Sequence, residues 1–214
     1  MKPRILSLFA GCAVLVGVWG WPLPGLPLPP FSQHMTIHMS VVAVAAPLLS
    51  LGMVGGAADC ARRWPRLCSA IPASMLELVA VWVWHAPALH HHARTSWWAF
   101  GLEQATFLAA GLWLWLAALG GAPNQRRARS LSGAVALLLT SMHMTLLGAL
   151  LALTPRVLYS HHTHDTTTFW LSPLQDQQLG GAIMIAAGLF AYSAGGLYLT
   201  AQHFHPQLTK GRLP

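Results

Sequence analysis

Six apolar stretches, at about residues 5–21, 35–54, 71–89, 97–119, 131–153 and 179–200, take up most of this chain. Each is close to the ~20 residues an α-helix needs to cross the ~30 Å hydrocarbon core of a bilayer. In that solvent every backbone N–H and C=O must find a partner inside the protein, so helices are the structure open to such stretches. The expectation is an all-α, polytopic transmembrane helix bundle of about six spans, with 1–214 as a single membrane domain. Composition agrees. The 214 residues are 55% hydrophobic and 8% charged, against about 25% charged in an ordinary soluble domain.

The net charge of +7 would suggest a nucleic-acid partner in a soluble protein. Here the basic residues fall in short connections, where they set orientation, so the expected surroundings are lipid and not nucleic acid. With six spans, one side receives Lys2, Arg4, Arg62, Arg63, Arg66, Arg126, Arg127, Arg129, Lys210 and Arg212, and the other receives Arg94 and Arg156. Both termini are therefore expected in the cytoplasm. The first stretch is read as a span and not as a cleaved signal, because the following WPLPGLPLPP lacks a small-x-small cleavage pattern. Cys12, Cys60 and Cys68 match no compact zinc or redox spacing. No disulfide is expected from them.

Chemistry collects on the outer side. The second span opens with His34, Met35, His38 and Met39, and residues four apart share a helix face. Imidazole and thioether together suit copper, above all Cu(I), better than hard cations. The alternative is a polar rim at the headgroup boundary. His85 closes the third span, and His90, His91 and His92 follow in what reads as a polar turn. His143 lies in the fifth span, about 18 Å from its inner end at 1.5 Å per residue, and Glu103 enters the fourth at a similar level. Ionisable groups at such depth face protein or water and are functional candidates. His38, His85, Glu103 and His143 are expected to converge, as a metal site or as a polar packing cluster. Glu77 reads as an interfacial carboxylate or an ion stop, and Trp113 and Trp115 as lipid-facing bulk. Pro47 is expected to bend its helix.

Taken in order, HMTIHMSVVAVAAPLLSLG (His34 to Gly52), WHAPAL (Trp84 to Leu89), LEQATFLAAGLWLW (Leu102 to Trp115), LLGALLALTPRVLY (Leu146 to Tyr159) and SPLQDQQLGGAIM (Ser172 to Met184) resemble the CtaG family of multi-span assembly factors for caa-type haem-copper cytochrome c oxidases. The resemblance implies a non-enzymatic role in maturing the oxidase in the bacterial inner (cytoplasmic) membrane. It also implies the oxidase catalytic subunit as partner, with copper as cargo. The family's recurring polar positions fall on His34, His38, His85, Asp176, Gln177 and Gln178. Members commonly carry a histidine after the acidic position of the fourth span, where this chain has Gln104. They often have seven spans where this chain reads as six.

The resulting expectation is a metal site of His34, Met35, His38, His85, His143 and Asp176, holding copper transiently on the periplasmic or exterior side. A mixed His/Met set releases metal more readily than a closed thiolate set. Asp176 has a second reading, as a negative charge at the N-terminus of the sixth span. Three other functions compete with this one. They are a haem-binding electron-transfer protein, a copper permease, and an assembly scaffold that binds no metal.

Overall fold

A computed structural model describes residues 2–20, 23–159 and 170–204. The outer-loop His161, His162, His164 and Asp165, and the tail from His205 with Lys210 and Arg212, lie outside the described residues. Among the described residues the elements are helical: α1 (Lys2–Trp19), a 3₁₀ turn (Leu23–Gly25), α2 (Pro30–Met39), a π-turn (Ser40–Ala45), α3 (Ala46–Met53), α4 (Cys60–Arg63), α5 (Ala70–Trp84), α6 (Pro87–Thr95), α7 (Trp97–Leu119), α8 (Arg126–Leu153) and α9 (Pro173–Phe204). Among the described residues, four helices are long and apolar enough to cross a membrane: Pro30–Met53, Trp97–Leu119, Arg126–Leu153 and Pro173–Phe204. The apolar Pro3–Trp19 and Ala70–Trp84 are shorter. Leu138, Met142 and Phe190 point outward from the bundle, as lipid-facing residues do.

α2, the π-turn and α3 form one continuous rod. Pro47 has no N–H to give to the Ala43 carbonyl. The chain answers by widening rather than breaking, so that the Ala46 N–H reaches back five residues to the Val41 carbonyl. In that five-residue register the carbonyl left without a donor by Pro47 is that of Val42, and the Trp115 indole N–H takes it at 3.1 Å. Trp115 is accordingly buried and stacked on Tyr192, which corrects its expected lipid-facing position; Trp113 is 41% exposed and fits that expectation.

The stretch 71–89 is not one continuous helix: α5 covers most of it and α6 begins at Pro87. Pro87 cannot continue α5, and it drives the preceding Ala86 to extended backbone (φ −62°, ψ 129°), as a residue before proline prefers. α5 ends on His85 and the chain turns into α6, which carries His90 to His92 on a helix. The face of α6 with His90 and Ala93 is buried, whereas His91 and His92 are exposed.

α8 and α9 lie closely packed because glycine meets backbone at their crossing. A Cβ on Gly181 would stand 2.6 Å from the Gly148 carbonyl oxygen and 2.7 Å from the Ala152 nitrogen. Basic side chains tie off the opposite end of the bundle. Arg4 donates to the Gly52 and Met53 carbonyls, Arg126 to Gly121, and Arg129 to Cys68 and Ala117. These are helix-end and loop carbonyls that have lost their in-helix partners.

Candidate metal centre

The centre begins with a cap supplied from another helix. α2 starts at Pro30, behind Pro29, which has no side chain able to cap the first amides. Asp176, in the first turn of α9, does so instead. Its two oxygens accept the Phe31 and Ser32 N–H groups at 2.8 Å each, and Ser32 Oγ donates to Oδ1 at 2.6 Å. The neighbouring Gln177 accepts the Leu158 N–H at 2.7 Å and donates to the Leu151 and Arg156 carbonyls. Gly180 leaves room for Phe31 and Met35, since a Cβ there would overlap the Phe31 ring. The DQQLGG segment thereby fixes α2 against α9, and with it the height and rotation of His34 and His38.

Those two rings stand nearly parallel, 6.3 Å apart between centroids. His85 lies 5.4 Å from His34 and 5.2 Å from His38. His90 closes on His34 at 4.6 Å, edge to face. The four histidines are between 0 and 3% exposed. Glu103, two turns into α7 and fully buried, brings Oε2 to 4.0 Å from His34 Nδ1. One ligand atom each from His34, His90 and Glu103 falls within 4.8 Å of the others. Phe107 lies under His38 at 4.2 Å, and Phe31 and Tyr159 pack against His90. The Tyr159 hydroxyl donates to the His85 carbonyl at 2.6 Å. Burial pushes the Tyr159 phenol up to about 12, so it stays a donor.

Hydrogen bonding shows what this cluster can do. His85 Nδ1 lies 2.7 Å from the Val81 carbonyl. The proton belongs on that nitrogen, which leaves Nε2 as a lone pair. That Nε2 and both ring nitrogens of His34 and His38 are buried without a hydrogen-bond partner among the described residues. An unmet buried polar group costs about 1–3 kcal/mol. A bound cation would satisfy several of these lone pairs at once, and neutral imidazoles with a carboxylate are donors that such an ion accepts.

The residues named from sequence divide accordingly. His34, His38 and His85 meet, and Glu103 reaches them as the depth argument expected. Met35 turns to α9, against Gly180. His143 is buried on α8 with both nitrogens unpartnered, and no ring contact joins it to the cluster among the described residues. Asp176 has both oxygens engaged on α2. Glu77 is fully buried and accepts the Tyr192 hydroxyl at 2.9 Å. His90 was hidden from sequence reading, since HHH after an apolar segment looks like a polar turn; its signal was Pro87, which folds the chain back over the site. Gln104 accepts the Trp19 indole N–H at 2.9 Å and donates to Glu103 at 3.2 Å, so it holds the carboxylate in place.

One protein-family sequence profile, described as cytochrome c oxidase caa3 assembly factor (Caa3_CtaG), matches residues 2–205. No curated protein and no solved structure matches the chain.

Proposed function

The chain belongs to the cytochrome c oxidase caa3 assembly factor family, and from that premise we propose that it binds copper at the His34–His38–His85–His90–Glu103 cluster and hands it to the oxidase catalytic subunit. The observation that carries the reading is the unpartnered imidazole nitrogens of His34, His38 and His85, packed together and buried. A structural cluster would spend those lone pairs on hydrogen bonds. The cluster lies at the end of the bundle opposite the arginine-tied helix ends, and the positive-inside bias supports a periplasmic or exterior position for it in an inner membrane. His143, Met35 and Asp176 enter as support: Met35 and Asp176 set the α2–α9 contact, and His143 is a reserve donor deeper in the bundle.

Among the competing functions, haem binding is the weaker. The rings are 4.6–6.3 Å apart between centroids, a packing that suits one small ion better than a porphyrin between two of them. The test is copper content and optical spectrum of the protein purified in detergent under reducing conditions, beside a His34→Ala/His38→Ala variant. Copper near one equivalent, lost in the variant, with no haem absorption, is the expected result. Neither copper nor haem in either sample sends the function back to a metal-free scaffold.

A further inference from the structure

Glu103 is not idle in this centre. Its Oε2, the oxygen that faces His34, receives the Arg94 guanidinium and the Gln104 amide, while Oε1 is buried without a partner. Arg94 projects from the last turn of α6, with its guanidinium carbon 5.1 Å above the Phe100 ring. Outside it lies a cleft of about 340 Å³ lined by Ala93, Arg94, Thr95, Ser96, Trp97 and Phe100. Its side chain is 18% exposed where that of Glu103 is 0%. Arg94 therefore stands between a surface cleft and the buried His34–His90–Glu103 group, while Phe31, Phe107 and Tyr159 pack against the histidines on other sides.

We propose that Arg94 is the resident cation of this centre: metal enters through the cleft and takes the guanidinium's place on Glu103, an exchange that selects a monovalent soft ion over a divalent one. The proposal rests on the reading of the cluster as a metal centre. The selection follows from charge. A 1+ ion that replaces a 1+ guanidinium leaves the net charge of the buried group unchanged. A 2+ ion adds an uncompensated unit charge in a low-dielectric site, where that is most costly. The displaced guanidinium stays protonated and swings into the cleft, whose Thr95 and Ser96 offer hydroxyl acceptors. The surrounding imidazole nitrogens discriminate between ions by softness.

The experiment compares wild type, Arg94→Gln and Arg94→Lys, each as full chain in detergent, for equilibrium binding and loading rate of Ag(I), a redox-silent soft monovalent probe, and of Zn(II). Wild type is expected to prefer Ag(I) over Zn(II) by at least tenfold. Arg94→Gln should lose most of that preference and load Ag(I) at least tenfold faster, whereas Arg94→Lys, which keeps the charge without the guanidinium's planar fork, should keep the preference and load Ag(I) faster than wild type. Without any substitution, Ag(I) should speed phenylglyoxal modification of Arg94 in wild type, read by mass spectrometry. If Arg94→Gln folds poorly, Arg94→Lys and the wild-type reactivity decide. An unchanged metal preference in Arg94→Gln and an unchanged loading rate in both variants, with Arg94 reactivity indifferent to Ag(I), overturns the exchange and leaves the metal centre standing. No metal bound by any form overturns the centre, and the exchange with it.

Discussion

Asp176 acts on a helix other than its own. Its carboxylate replaces the cap that Pro29 cannot provide, and two charge-assisted bonds to backbone amides plus one from Ser32 hold the start of α2. Asp176→Ala is expected to lower stability by about 2 kcal/mol, read as an earlier thermal unfolding transition in detergent. His90→Gln, which keeps most of the buried volume, should do the reverse: a smaller change in unfolding, but at least tenfold weaker Cu(I) binding. Such a split between the two variants separates positioning from ligation. At the far end of the bundle, burial and the adjacent Cys68 thiol raise the Cys60 thiol to about 12. Thiolate is the reactive form, so alkylation of Cys60 should rise about tenfold per pH unit from pH 8 to 10 without levelling off, whereas an ordinary thiol levels off above about 8.5. At this scale the sequence disclosed His34 and His38, because an i, i+4 pair needs nothing beyond the helix to share a face. It concealed the role of Asp176, since the amides it caps lie 144 and 145 residues away.

Pro87 and Pro47 carry opposite lessons at the level of the helix. Pro87 ends α5, and the corner it makes brings His85 and His90 to the same rings. Pro87→Ala removes the reason for the break, and the expected outcome is a straighter α5–α6 with Cu(I) affinity down at least tenfold, measured by competition with a chromophoric chelator. Pro47 ends nothing, because the π-turn and the Trp115 indole between them absorb the missing donor. Both prolines were visible in the sequence as breakers of a helix. Whether a freed carbonyl is met by a neighbour, as at Val42, or the chain turns away, as at Ala86, depends on what packs beside it. The glycines of α8 and α9 belong to this scale too. Gly181→Leu would drive a side chain into the backbone of α8, and a loss of about 1–3 kcal/mol or failure to accumulate in the membrane is expected.

For the whole molecule, metal binding and folding should be linked. An ion held by side chains from α2, α5, α6 and α7 binds the folded bundle and not its separated helices. At a free concentration 100 times Kd, such a ligand adds about 2.7 kcal/mol. Wild type should therefore unfold at higher temperature with Ag(I) present, and the His34→Ala/His38→Ala variant should not. The chain's own order of apolar stretches determined an all-helical membrane bundle, because a bilayer leaves the backbone no alternative. Its charge bias gave the expected orientation, and its i, i+4 histidines marked the end of the bundle that matters. Which groups meet there was decided by tertiary structure alone. His90 arrives by a proline corner, Glu103 by the approach of α7 to α2, and Arg94 by the return of α6 over both. Met35 and Asp176 were turned instead to holding α2 against α9. Sequence spacing fixes neighbours within one helix, whereas a site shared by four helices depends on their packing, which here is set by a cap, a pair of glycines and two prolines.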